Sequence, residues 1–341
     1  MLRRVLLYPF ALLYTLITDI RNLMYDKGYL SSQSFDIPII NVGNLSVGGT
    51  GKTPQIEYLI RLLKDDYKLA VISRGYKRHS KGFVLADQSA THESIGDEPF
   101  QIHQKFNDIT LAVDENRVRA IRKVLDHFSP DVILLDDAYQ HRAVKAGLNV
   151  LLTPFYKPFF NDFVLPSGNL RERRQNAKRA DLVIVSKSPE NIESSQKKAL
   201  SDQITKYTNA PVFFSSIAYS PFVLNEKEQK ALTDLKDYDI LLVTGIANPK
   251  PLLAHLSKKN LNFESLKFGD HHHFSVADIK GIRHKFDSFK ALKKIILTTE
   301  KDYVRLKPHI QKGLFYLPIQ TKIKDRELFN QKILDYVRNY K

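Results

Sequence analysis

Val42-Gly43-Asn44-Leu45-Ser46-Val47-Gly48-Gly49-Thr50-Gly51-Lys52-Thr53-Pro54 lies between an apolar run, Ile37 to Val42, and an amphipathic one, Gln55 to Lys64. Strand, glycine-rich turn and helix in that order make a phosphate cradle. Small residues at Gly48, Gly49, Thr50 and Gly51 let backbone N–H groups converge on an anion, Lys52 reaches terminal phosphates, and the Thr53 hydroxyl is placed to ligate Mg²⁺. Pro54 suits the first helical turn, where a missing N–H costs no hydrogen bond. The pattern G-x-x-x-x-G-K-[ST] is met except that Ser46 takes the first glycine position.

Working outward, short runs rich in Val, Ile and Leu recur at Leu69 to Ser73, Ile109 to Val113, Val132 to Leu135, Val150 to Thr153 and Leu182 to Ser186. Runs apolar on both faces are the mark of buried parallel strands, and helical patterns such as Asn116 to His127 lie between several of them. The fold class is therefore α/β, a P-loop NTPase-like, mainly parallel sheet with helices on both faces, whose ligands gather at the carboxyl ends of the strands. Two later strands, Ile240 to Thr244 and Ile295 to Thr299, begin a second set. The intervening Ser215 to Gln229, with Pro221 and several charges, reads as a linker, and Ser186 to Lys198 as a solvated loop and helix start. This divides the chain into an amino-terminal helix over residues 1–30, a P-loop core over 31–220 and a smaller α/β lobe over 221–341.

At 341 residues and 43% hydrophobic content the chain buries a sizeable core. Its 52 Lys and Arg against 37 Asp and Glu give a net charge of +15, which favours an anionic partner: nucleotide, nucleic acid, anionic lipid or phosphorylated substrate. The absence of cysteine excludes disulfides and thiolate zinc sites. After Arg3 and Arg4, Val5 to Ile17 is almost wholly apolar, yet shorter than the ~20 residues needed to span a bilayer. An interfacial helix with basic flanks fits this pattern, and a helix capping the core is the competing reading.

Val132 to Leu135 ends in Asp136-Asp137, an apolar strand tipped by two carboxylates. In P-loop proteins an Asp in that position holds the magnesium ion beside the loop hydroxyl, so one of the pair is expected to face the metal and the other to brace a loop. Gln140-His141-Arg142 follows, then the basic Leu165 to Arg174, whose arginines can dock a phosphate or neutralise a phosphoryl group in flight. Transfer to an alcohol also calls for a proton acceptor. Candidates are Asp97 and Glu98 in Gly96-Asp97-Glu98-Pro99, and His271 to His273, which alternatively bind a transition metal or form a polar loop.

Together these blocks, with Ser73-Arg74-Gly75-Tyr76, Gly245-Ile246-Ala247-Asn248-Pro249, Phe268-Gly269-Asp270-His271 and Thr298 to Asp302, resemble the tetraacyldisaccharide 4′-kinases, the lipid A 4′-kinases. The resemblance implies transfer of the γ-phosphoryl group of ATP, with Mg²⁺, to the 4′-hydroxyl of a tetraacyldisaccharide 1-phosphate. It further implies a peripheral or monotopic enzyme on the cytoplasmic face of the bacterial inner membrane, with an acylated disaccharide lipid as partner, no nucleic acid and no obligate protein partner. Carried over by motif, Asp97 is the general base with His271 as its dyad partner. Gly48 to Thr53 and Asn248 serve the nucleotide, and Thr53, Asp136 and Asp137 serve the metal or the loop. Arg74, Glu98, Arg117, Gln140, His141, Arg171 and Glu172 then surround substrate and phosphates. The chain departs from the family pattern at Ala138 and Tyr139, where Gly and Phe are usual, and in its additional His272 and His273. Two rival readings stand beside this one, a polynucleotide-dependent P-loop ATPase and a membrane-bound nucleotide switch.

Overall fold

A computed structural model describes residues 2–270 and 272–340, with side chains from residue 6 onward. The first helix, α1 (Leu2–Asp26), has Pro9 in its interior. Eight strands follow: β1 (Ile39–Asn44), β2 (Leu69–Ser73), β3 (Val84–Leu85), β4 (Thr110–Val113), β5 (Val132–Asp136), β6 (Leu148–Pro154), β7 (Leu182–Ser186) and β8 (Val212–Tyr219). Helices α2 (Lys52–Leu63), α3 (His92–Ile95), α4 (Asp97–Lys105), α5 (Arg117–Phe128) and α6 (Ser194–Ile204) lie among them. A second set comprises β9 (Phe222–Leu224), β10 (Gln229–Ala231), β11 (Asp239–Thr244), β12 (Phe263–Lys267), β13 (Lys294–Thr299) and β14 (Leu314–Leu317), with α7 (Lys250–Lys258), α8 (Val276–Asp287) and α9 (Glu300–Leu306). The chain closes with β15 (Ile319–Ile323) and α10 (Arg326–Arg338).

The larger sheet has nine strands in the order β15-β8-β7-β6-β1-β5-β2-β4-β3, parallel except for its two edge strands β15 and β3. Its inner strands are buried on both faces because alternate residues feed different cores. Ile40, Val42 and Leu134 pack with Ile56, Leu59 and Ile60 of α2 on one side, while Ile39, Ile133 and Leu135 pack with Ile121 and Val124 of α5 on the other. The smaller sheet, β10-β9-β14-β13-β11-β12, is parallel over its last four strands. The expected α/β class with two sheets is thus observed.

Two boundary expectations need correction. Ser215 to Gln229 holds the end of β8 and most of the β9–β10 hairpin, so the chain passes between sheets in a short step at Ser220-Pro221. Residues 319–338 do not belong with the second lobe, for β15 pairs antiparallel with β8, and Phe329, Ile333 and Val337 of α10 enter the core beneath α2. The Ile-Gln-Thr-Lys-Ile of β15 is half polar, as an edge strand permits, and its pairing depends on a partner a hundred residues away.

The seam between the lobes carries a buried ion cluster. Lys105 Nζ on α4 lies 2.7 Å from Glu57 Oε2 of α2 and 2.6 Å from Glu300 Oε1 of α9, and both carboxylates are buried. Removing the shared cation strands two buried acids, so Lys105→Met is expected to cost about 3 kcal/mol, read from the urea unfolding midpoint.

Helix α1 turns its apolar side outward. Ala11, Thr15 and Asn22 are buried, whereas Phe10 (62%), Leu13 (59%), Leu16 (55%) and Ile17 (59%) stand exposed. Its polar side chains anchor it: Tyr14 donates to the Arg171 carbonyl at 3.2 Å, and Asn22 Nδ2 to Glu172 Oε2 at 3.0 Å. Among the described residues no helix is long and apolar enough to cross a membrane.

Candidate active site

The glycine-rich turn leaves the carboxyl end of β1, at the centre of the larger sheet. Gly51, with φ at 91°, caps α2 in a left-handed conformation that side chains disfavour, which is why glycine stands there. Asn44 Nδ2 shapes the turn from within, donating to the Ser46 carbonyl at 2.6 Å and to Thr50 Oγ1 at 2.9 Å. From neighbouring segments, Val47 N donates to the Asn169 carbonyl at 2.7 Å and the Ser186 hydroxyl to the Thr50 carbonyl at 2.6 Å. Thr53 is buried on the first turn of the helix.

On the adjacent strand tip the two carboxylates divide their tasks. Asp136 is buried; its Oδ2 accepts from the Ser73 hydroxyl at 3.0 Å, and its Oδ1 has no partner. Burial, reinforced by the anions Glu98 and Asp137, pushes its pKa up to about 7. Asp137 sits at φ 51° and turns away, 3.5 Å from Lys52 Nζ and accepting 2.9 and 3.0 Å bonds from Arg171. Burial works to raise its pKa, but Lys52 and Arg171 outweigh it and hold it below the ordinary carboxylate value. A buried, unpartnered carboxylate oxygen on a P-loop strand suits a hard divalent cation. Among the described residues no group of three or more His, Asp or Glu could hold a metal.

The facing wall comes from α4 and the second lobe. Asp97 opens α4, and its Oδ2 accepts from Arg305 Nε at 3.0 Å and from Nη2 of the same guanidinium. Arg305 is itself braced 3.5 Å from buried Asp302, which accepts from Gly245 N at 2.8 Å and from the Thr299 hydroxyl at 2.7 Å. Lys301 lies 3.8 Å from Glu98 and 3.6 Å from Asp270. At the β7 tip, Lys187 Nζ donates to the Gly49 carbonyl at 2.6 Å. Lys187, Lys301 and Arg305 were not among the expected site residues. For Lys187 a signal existed: like Asp137, it follows a buried apolar strand, where ligands gather in such sheets.

Arg74 is exposed, and its charge is felt by Arg117 and His141. Arg117 is buried at the start of α5 with its Nε unpartnered, and burial draws its pKa down to about 10 despite nearby Asp136 and Asp137. Asn248 is exposed just beyond β11 in the second lobe. Glu172 is buried and accepts from Asn22, Gln140 and Arg179, so it ties α1 to the site loops. Gln140 bridges the Asn44 carbonyl and Glu172, and accepts from Arg171 at 3.2 Å, another brace. His271 lies outside the described residues, whereas His272 is turned to Asp278, 3.0 Å from its Oδ2.

His141 has its Nε2 3.3 Å from Arg117 N, and burial, with Arg117, Arg21 and Arg74, lowers its pKa to about 4. A folded-state pKa below the unfolded value near 6.5 means that unfolding takes up a proton, so this group removes stability as pH falls from about 6.5 to about 4. His141→Gln is expected to flatten that limb by on the order of 2 kcal/mol, read from denaturant midpoints against pH.

Comparison with known proteins gives one consistent set of matches. Residues 3–338 match the family described as LpxK, tetraacyldisaccharide-1-P 4′-kinase. The chain is 50% identical to the tetraacyldisaccharide 4′-kinase of Flavobacterium johnsoniae over 99% of this chain and 98% of that one, and 45% identical to that of Bacteroides thetaiotaomicron over 97% and 93%. The crystal structure of Aquifex aeolicus LpxK in complex with ATP superposes with a TM-score of 0.80 at 30% identity, covering 99% of this chain and all of that one.

Proposed function

Because this chain belongs to the tetraacyldisaccharide-1-P 4′-kinase family, and so is an ATP-dependent kinase of lipid A biosynthesis, we propose how its residues divide the work. ATP lies with its phosphates on the Gly48 to Thr53 turn, Lys52 on the terminal phosphates and Asn248 toward the base. Thr53 and Asp136 would hold Mg²⁺, which when bound would neutralise phosphate charge. Asp137 instead positions Lys52 and Arg171. Asp97 accepts the proton of the acceptor 4′-hydroxyl, with His271 as its partner. Arg74, Arg117 and Arg171 offer cationic groups to substrate phosphates.

The observation that carries this reading is the meeting of three strand tips and two lobes around one turn: Lys52, Asp137 and Lys187 from the first, Asp270 and Lys301 from the second. The lipid substrate accounts for α1. A groove of about 320 Å³ is lined by Leu12 and Thr15 of α1, by Phe163 and Val164, and by Asp162, Arg173 and Arg174. Its apolar side chains suit an acyl chain and its arginines the phosphate of a phosphorylated sugar. We therefore place the protein at the cytoplasmic face of the inner membrane, with the exposed side of α1 in the interface. Incubation with γ-labelled ATP, Mg²⁺ and the disaccharide lipid in detergent tests the scheme: label on the 4′-oxygen supports it, and transfer undiminished by a magnesium chelator removes the metal from it.

A further inference from the structure

We propose that Lys187 is a catalytic residue whose ammonium meets the γ-phosphoryl group during transfer, an inference that rests on the placement of ATP proposed above. Lys187 follows β7, two strands from β1, and adopts a left-handed backbone with φ at 56°. That conformation costs a side-chain-bearing residue roughly 1–2 kcal/mol and persists where the surroundings impose it. Ser186, the residue before it, is held on both sides: its hydroxyl donates to the Thr50 carbonyl and its own carbonyl accepts from Phe155 N at 2.8 Å. Asp137 shows the same departure, φ 51°, on the opposite side of β1. The turn is thus flanked by two left-handed strand tips, one carrying an anion to Lys52 and the other a cation to Gly49.

The partners of the three lysines separate their roles. Lys52 faces the Asp137 carboxylate, and Lys301 is set between Glu98 and Asp270. Lys187 donates to a neutral carbonyl of the turn that receives the phosphates. Exchanging that oxygen for a phosphoryl oxygen turns an ion–dipole contact into an ion pair, with no carboxylate displaced. Desolvation, and the Lys301 and Lys52 cations, lower its pKa while Asp270 opposes them, so added negative charge nearby is favourable to it. Although Lys187 is exposed as a residue, its ammonium is turned onto the Gly49 carbonyl. In the reaction, the bond from the γ-phosphorus to the β,γ-bridging oxygen breaks and its electron pair stays on ADP. The bond to the 4′-oxygen forms, and the hydroxyl proton passes to Asp97. Charge spread over the equatorial oxygens in flight is what Lys187 stabilises, in the manner of an arginine finger supplied in cis.

The test compares Lys187→Ala, Lys187→Arg and Lys52→Ala with the parent chain, using calorimetry with ADP, binding of ADP with Mg²⁺ and aluminium fluoride, and turnover. For Lys187→Ala the expectation is ADP affinity within threefold, fluoroaluminate binding weakened at least a hundredfold and kcat lowered at least a hundredfold, with Lys187→Arg recovering tenfold or more. If Lys187→Ala keeps kcat within fivefold, or loses ADP affinity in step with kcat, Lys187 only shapes the turn and the proposal fails. Lys52→Ala separates this from the underlying placement: unaltered ATP binding and turnover in that variant would overturn the site itself.

Discussion

Asp97→Asn is expected to lower kcat about a thousandfold while ATP binds as before, since a positioned general base is ordinarily worth 10² to 10⁴. The side chain begins α4, and Gly96, with φ at 93°, packs so closely on Gly75 that an added Cβ would lie 3.1 Å from the Gly75 carbonyl carbon. The backbone that carries Asp97 is therefore fixed, and the amide is isosteric with the acid. What the substitution removes is the proton acceptor and the negative charge that faces Arg305. Because Arg305 belongs to α9 of the second lobe, a stability change has to be separated from a chemical one. Equal melting temperatures and equal ATP affinity by calorimetry, with single-turnover transfer lowered by three orders of magnitude, would assign the loss to chemistry. A variant that keeps more than a tenth of parental turnover would take Asp97 out of that role.

Several elements were legible because their chemistry is local. The buried parallel strands announce themselves as runs apolar on both faces, and the Gly51-Lys52-Thr53 turn sits where one of them must end at the middle of the sheet. Asp136 and Asp137 were readable as a strand tip, and their division of labour follows from one residue of pleat plus the left-handed φ at Asp137. The features that escaped depend on distant partners. Nothing near Arg305 says that its guanidinium crosses to Asp97, 208 residues away, or that Lys105 must satisfy both Glu57 and Glu300. Nothing around Glu172 in the sequence says that Asn22, Gln140 and Arg179 all donate to it in the fold. The edge strand β15 carries too few apolar residues to advertise that it joins the larger sheet.

Leu13→Asp, Leu16→Asp and Ile17→Asp combined should lower partition onto lipid vesicles about a thousandfold while the melting temperature changes little. Each of these side chains is more than half exposed, so the folded protein gains almost nothing from them in water. Seated in the headgroup boundary, each contributes about 1.5 kcal/mol by burial, and three together come to about 4.5 kcal/mol, or roughly three decades in partition. The polar side of the same helix predicts the opposite pattern. Asn22→Leu leaves Glu172 short of one donor in a buried setting and should destabilise the fold while vesicle affinity is kept. An interfacial helix whose greasy face points outward and whose hydrogen bonds point inward must show this separation. If the three aspartates instead lowered the melting temperature and left vesicle binding unchanged, α1 would be a cap on the core and the lipid would reach Asp97 by another route. Transfer to substrate in dilute detergent provides the link to function: the triple variant should retain its kcat there, because the residues around Lys52 and Asp97 are untouched, and lose activity only when the lipid is presented in a bilayer.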